Sequence, residues 1–149
     1  MENSIENHGM TVPFRSVIIG SSGSNKANIV LNLISQMNNT FNMIYIYTHN
    51  KKEPLYKYLE SIIEPDCLEI HEGLDELKNK KDIDYIGRTL IIFDGMFMEK
   101  DQTYISEFYI RGRKIAGGIS LCYLSPYLYH ISTTIRQHLQ YFFKRYLIE

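Results

Sequence analysis

The apolar run Ser16, Val17, Ile18, Ile19 leads straight into Gly20 to Ala27, which reads GSSGSNKA, and then into an amphipathic stretch ending near Met37. A strand that exits through a Gly/Ser-rich turn into a helix points to an α/β domain. The turn comes close to the pattern G-x-x-x-x-G-K-[ST], in which successive backbone N–H groups wrap phosphates, Lys contacts them and the last hydroxyl binds Mg²⁺. Gly20 and Lys26 are in place. Asn25 stands where the second glycine belongs; it reaches positive φ more readily than most residues but brings a side chain to where backbone should meet phosphate. Ala27 fills the hydroxyl position and cannot ligate a metal. The candidate phosphate-binding set is therefore Gly20, Ser21, Ser22, Gly23, Ser24, Asn25, Lys26 and Ala27, with ATP and Mg²⁺ as its expected but weakly held or absent cofactors.

Further apolar runs alternate with helical patterns, so a three-layer domain with a mostly parallel central sheet is expected over residues 12 to 149, after a flexible tail of residues 1 to 11. Strands are predicted at Ser16 to Ile19, Met43 to Thr48, Leu68 to His71, Thr89 to Phe93 and Gly118 to Leu124. Helices are predicted from about Asn25 to Met37, at Leu55 to Ile63 after Pro54, at Thr103 to Arg111, and as one long amphipathic element from Thr133 to Leu147. That last helix would turn Ile135, Leu139, Phe142, Phe143 and Tyr146 inward. Gly73 to Lys81, with three lysines and two acids around Leu74 and Leu77, reads as an exposed helix or loop.

A chain of 149 residues has one-domain length, and 44% apolar residues suffice for a core. Its longest apolar runs are too short to cross a bilayer, and the polar Met1 to Thr11 segment lacks the apolar centre of a signal peptide, so an intracellular protein without a membrane partner is expected. Cys67 and Cys122 lack metal-ligand spacing, and Cys122 reads as a small core residue. His8, His49, His71, His130 and His138 are scattered, with no pairing that suggests zinc. Net charge is −1, yet residues 1 to 100 carry ten basic against fourteen acidic groups and residues 101 to 149 carry six against three. A mildly basic C-terminal third is compatible with a polyanion and equally with an ordinary solvated surface.

Asp94 ends the uniformly apolar strand Thr89 to Phe93, where a carboxylate faces the ligand crevice of a parallel sheet. The alternative is a carboxylate capping a turn. Downstream, residues Arg111 to Arg136 read RGRKIAGGISLCYLSPYLYHISTTIR. Here the chain resembles the genome-packaging ATPases of large DNA viruses and Polinton/Maverick elements, within the FtsK-HerA superfamily. In those proteins a loop of the form GSSGSGKT is followed by a strand ending in two acids, a helix ending in an R-G-R-H-like motif, a strand ending Leu-Ser/Thr-Gln, and a helix start of the form Thr-Ile-Arg. The resemblance runs from about Phe14 to Phe143 and implies a RecA-like P-loop fold, ATP-driven DNA translocation into capsids and a homo-oligomeric ring.

Carried over by that resemblance, Gly20, Gly23 and Lys26 fall on the phosphate loop, Asp94 on the metal-shell carboxylate, Arg111, Arg113 and Lys114 on the basic motif, and Arg136 on the later arginine. Three polar positions depart from it: Ala27 for the Mg²⁺ hydroxyl, Gly95 for the water-polarising acid and Pro126 for the glutamine that senses the γ-phosphate. The chain also stops at Glu149, where such domains usually continue into at least one more strand. Losing one well-placed group costs ~10² to 10³ in rate, so three losses together would leave little hydrolysis. Ser22 or Ser24 for the hydroxyl and Glu99 for the acid are the substitutes within reach along the chain.

The resemblance offers Arg111 or Arg113 as a group reaching a neighbour's γ-phosphate, while a basic helix C-terminus explains them without any partner. Arg136, at an expected helix start, calls for a ligand or an acidic neighbour. Tyr123, Tyr127, Tyr129, Tyr141, Phe142, Phe143 and Tyr146 suit either core packing or an oligomer contact, or stacking on nucleic-acid bases beside Lys144 and Arg145. The reading is a packaging-ATPase-like P-loop domain with lost or severely weakened hydrolysis and an assembly or DNA-contacting role. Its alternatives are an active ATPase with substituted groups and a structural interaction module whose loop is empty.

Overall fold

The computed structural model describes residues 4–5, 11–20, 26–37 and 39–145. Two short strands, β1 (Ser4–Ile5) and β2 (Thr11–Val12), pair antiparallel with each other. The main sheet is built from β3 (Arg15–Gly20), β4 (Met43–Thr48), β5 (Leu68–Glu72), β6 (Thr89–Asp94), β7 (Ile119–Ser125) and β8 (Tyr141–Arg145). Its order is β5-β4-β6-β7-β3-β8, and every neighbouring pair is parallel.

Parallel strands need crossovers, and among the described residues these are supplied by the helices α1 (Lys26–Gln36), α2 (Pro54–Ile62), α3 (Asp75–Asn79), α4 (Thr103–Arg111) and α5 (Thr133–Gln137). Because strand side chains alternate, each strand feeds two cores. On one face Ile18, Ile46, Ile92 and Cys122 pack with Val30 and Ile34 of α1 and with Tyr56 and Leu59 of α2. On the other, Val17, Tyr47, Phe93 and Tyr123 pack with Ile105 and Tyr109 of α4 and Ile135 of α5. The result is the expected three-layer α/β domain. Buried Ser16 ties the two central strands, its hydroxyl donating to the Leu121 carbonyl at 2.8 Å while its own carbonyl accepts from the Tyr109 hydroxyl at 2.6 Å.

Two expectations change. The helix from Thr133 to Leu147 is replaced by the five-residue α5 followed by β8, whose Ser16↔Tyr141 to Gly20↔Arg145 register lines the free edge of β3. Apolar spacing at Ile135, Leu139, Phe142 and Phe143 fits a helix, but an aromatic run also suits a strand, and an open strand edge decides between them. Tyr146 lies outside the described residues. The second change concerns Gly73 to Lys81, where Leu74 and Leu77 are buried against Tyr47 and Tyr85, so α3 belongs to the core.

Candidate functional site

In an open parallel sheet the ligand crevice lies beyond the C-terminal strand ends. That edge brings Gly20 of β3, Ser125 of β7, Asp94 of β6 and Thr48 of β4 side by side, with Ile19 opposite Ser125, Leu124 opposite Asp94 and Asp94 opposite Thr48. β7 separates β3 from β6, so Asp94 stands two strand spacings, roughly 10 Å, from the start of the loop. A polyphosphate and a hydrated cation span such a gap. Ser21, Ser22, Gly23, Ser24 and Asn25 lie outside the described residues, as do the side chains of Lys26 and Ala27, whose backbone opens α1.

Asp94 accepts a hydrogen bond at Oδ2 from the hydroxyl of Tyr56, a residue of α2 only 1% exposed. Burial first, and then the Asp94 charge, push that phenol far above its usual range, so it stays a donor. Among the described residues no other donor is hydrogen-bonded to Asp94, so Oδ1 has no protein donor. One carboxylate plus phosphate oxygens and waters is an ordinary Mg²⁺ environment, so Asp94 fits a cation even with alanine at position 27.

Gly95 is more than a missing acid. Its φ is +79°, and a Cβ there would lie 2.0 Å from Nδ1 of His49. The imidazole from the end of β4 covers the backbone where a second acidic residue is expected. Beside it, Glu53 just ahead of α2 lies close enough to Asp94 and His49 to feel both charges. Burial and Asp94 push the Glu53 carboxyl above the ordinary carboxylate range, and His49 draws it partly back. Glu53 is thus an acid within electrostatic reach of Asp94, whereas the Glu99 carbonyl accepts from Gln102 Nε2 at 2.7 Å in the turn beyond β6. Nothing in the local pattern around Glu53 marks it; the only signal is its place in the connection after the strand next to Asp94. A raised carboxyl in a ligand crevice is a feature of functional sites.

A pH test follows from the sign of that shift. Below the unfolded carboxylate value Glu53 is protonated in both states, and as pH rises through its higher folded value the folded protein loses stability relative to the unfolded chain. Glu53→Gln is expected to raise the melting midpoint at pH 7, with the gain fading as pH falls below about 4. An equal gain at both pH values, measured by calorimetry, would refute the assignment.

Pro126 follows β7 at the tip between Gly20 and Asp94, where Ser125 Oγ donates to the Tyr127 carbonyl at 2.9 Å and accepts from its N–H at 3.3 Å. The tip is closed by its own turn and presents no side-chain amide. Gln102 does not replace it: Nε2 donates to Met96 and Glu99 carbonyls, and Oε1 accepts from the Tyr123 hydroxyl.

The basic motif lies elsewhere. Arg111 ends α4 and pairs with Asp82, and at 3.8 Å with Glu107. Gly112 sits against Ile119 at the start of β7, and Arg15 at the start of β3 lies near Arg113, so Arg111, Arg113 and Lys114 gather at the opposite edge of the sheet from Asp94. Arg136 falls in the last turn of α5, because that helix is short, and donates to Thr133 Oγ1 at 3.3 Å. It needs no acidic neighbour there, since a cation complements the carbonyl end of a helix.

Three potential metal ligands converge at the edge strand, Glu69, His71 and Glu76. His71 Nε2 lies 2.9 Å from Glu69 and 3.6 Å from Glu76, while Glu76 also receives the Tyr47 hydroxyl and, at 3.3 Å, Lys80 Nζ. These contacts describe a hydrogen-bonded cluster whose imidazole stacks on Tyr47, with Glu76 shared among Tyr47, His71 and Lys80. Burial pushes the Cys122 thiol up to about 12, as suits an unreactive core residue. No helix among the described residues is long and apolar enough to cross a membrane.

Comparison with known proteins extends this geometry. Solved structures that share the fold include ATPases 2 and 3 of EssC from Geobacillus thermodenitrificans, at TM-score 0.67 and 12% identity over 93% of this chain. A second is the cytoplasmic domain of EssC, at TM-score 0.64 and 14% identity over 92% of this chain. A third is the genome packaging NTPase B204 of Sulfolobus turreted icosahedral virus 2, solved with ATP-gammaS, at TM-score 0.67 and 15% identity over 94% of this chain. The present chain spans about a third of the two EssC chains, 33% and 32%, and 77% of the B204 chain. No curated protein matches it in sequence. The family described as Poxvirus A32 protein matches residues 3–145, nearly end to end. With the loop, the Asp94 strand and the later motifs in the order that its resemblance to viral genome-packaging ATPases implies, the chain belongs to the poxvirus A32 protein family.

Proposed function

We propose that this chain is a packaging-ATPase-like domain that binds a nucleotide through its phosphate loop but hydrolyses it poorly or not at all, and that acts in assembly or in contact with DNA. The observation that carries the reading is the state of the crevice edge: Asp94 is held ready by Tyr56, while position 95 is a left-handed glycine covered by His49. Phosphates would sit on the loop and the N-terminus of the 11-residue α1, an anion site that works without metal. Orienting a water for in-line attack needs a further group fixed beside the γ-phosphate. With Gly95 and Pro126 at the two nearest strand tips, that group is missing from its expected places. Arg113 is exposed at the far edge, which suits a role toward a neighbouring subunit in a homo-oligomer or toward a capsid partner.

Calorimetry with ATP, with and without Mg²⁺, tests the binding half. Saturable binding is expected, weakened about tenfold or more by Lys26→Ala; absence of any saturable heat would leave a structural module. Phosphate release is expected at background with or without DNA. Release that DNA stimulates and Lys26→Ala abolishes would overturn the loss of hydrolysis.

One observation favours the active alternative: Glu53 lies beside Asp94 and has the raised carboxyl of a proton acceptor. Under that reading Glu53 replaces the acid missing at 95, and Glu53→Gln would remove phosphate release while sparing ATP binding.

A further inference from the structure

The aromatic residues of the C-terminal third do not form one group. Tyr123 is buried with its hydroxyl on Gln102, and Tyr141 packs edge-on against Phe14 at 6.4 Å. Tyr127 and Tyr129, by contrast, are 48% and 73% exposed and stack on each other with ring centres 5.2 Å apart and planes within 16°. The His130 ring packs at a tilt against both, 5.5 Å from Tyr127 and 4.5 Å from Tyr129, and against Phe97 at 5.0 Å. The turn that carries them is fixed at both ends, by Ser125 Oγ on Tyr127 and by buried Ile131, whose N–H donates to the Leu128 carbonyl at 3.0 Å.

Two large rings held parallel in solvent have paid their ordering cost before any ligand arrives, and they offer a flat face rather than a groove. The surrounding charge selects what fits that face. From Phe108 to Ile148 the chain holds six Lys and Arg and no Asp or Glu, although Arg111, Arg113 and Lys114 stand at the opposite edge of the sheet, where Arg111 is paired with Asp82. Two of the six, Lys144 and Arg145, end β8 in register with Ile19 and Gly20, at the same sheet edge from which the aromatic turn projects. A planar, sequence-tolerant ligand with a polyanionic backbone matches both features.

We infer that Tyr127 and Tyr129 form a stacking platform for unpaired bases of single-stranded DNA at the C-terminal edge of the sheet. The inference rests on the DNA-contacting part of the proposed function and adds to it the residues and the strandedness. Stacking supplies the short-range contact, and the charges of Lys144 and Arg145 at the end of β8 supply attraction to the backbone.

The test is fluorescence anisotropy of labelled (dT)₂₀ and of a blunt 20-base-pair duplex with the full chain at fixed low salt. Wild type is expected to bind (dT)₂₀ more tightly than the duplex. The Tyr127→Ala, Tyr129→Ala double variant is expected to weaken (dT)₂₀ binding by roughly tenfold or more, with the salt slope unchanged because no phosphate contact is removed. The Tyr127→Phe, Tyr129→Phe variant keeps the rings and is expected to stay within about twofold of wild type. ATP calorimetry and the melting midpoint of each variant serve as controls, since neither tyrosine belongs to the phosphate site. Wild-type affinity in the Ala variant, or equal losses in the Ala and Phe variants, would overturn the stacking role while leaving DNA contact standing. A change in sedimentation with unchanged (dT)₂₀ affinity would overturn it in favour of a contact between copies. Absence of binding to either DNA by wild type would remove the DNA-contacting reading itself, whatever the ATP titration shows.

Discussion

Gly95→Glu is expected to lower the melting midpoint and to leave phosphate release at background, even though it restores an acid beside Asp94. A non-glycine residue in the left-handed region costs about 1–2 kcal/mol, and the new Cβ would fall on the His49 ring at 2.0 Å. Either the imidazole leaves or the turn after β6 shifts, so a total near 2–4 kcal/mol is expected, or on the order of 5–15 °C in midpoint. The sharpest check is a double-mutant cycle with His49→Ala, which removes the obstructing ring and leaves only the backbone penalty. A coupling of about 1 kcal/mol or more between positions 49 and 95 is expected. Additive effects within error would mean that the ring and the glycine do not depend on each other.

Tyr56→Ala should be the most damaging single change near the crevice. The ring is fully enclosed between α2 and the sheet, so its removal leaves a cavity worth about 3–5 kcal/mol. It also strips Asp94 of its hydroxyl donor. Tyr56→Phe isolates the second effect, because the ring volume stays while the hydrogen bond goes, at about 1–2 kcal/mol. Urea unfolding of both variants separates the terms. If Ala costs no more than Phe, the aromatic ring is not what fills that layer.

Much of this architecture is legible in the chain because buried parallel strands are uniformly apolar: Met43 to Thr48 and Thr89 to Asp94 stand out without reference to anything else. α1 and α4 are legible for the complementary reason, an apolar stripe at helical spacing. Tyr141 to Arg145 is not, because its aromatic residues satisfy both periods and the choice falls to β3, more than a hundred residues earlier. The crevice divides in the same way. Gly20, Lys26 and Asp94 lie in local motifs and can be found in order along the chain. Glu53 and His49 gain their place only through the pairing of Thr48 with Asp94, which sets the end of β4 against the end of β6. Tyr127 and Tyr129 are visible as aromatic residues, yet only the fold distinguishes them from buried Tyr123 four and six positions before.

The strand that launches the phosphate loop takes both of its neighbours from far downstream, β7 at 119–125 and β8 at 141–145. During synthesis β4, β5 and β6 have all their mutual partners once residue 94 has left the ribosome, whereas β3 must wait for nearly fifty more residues before its second side is covered. Such distant closure is slow. Any nucleotide site at this loop would therefore be the last region to mature in a newborn chain, and a ligand present at that moment would act as a folding clamp on the central strands.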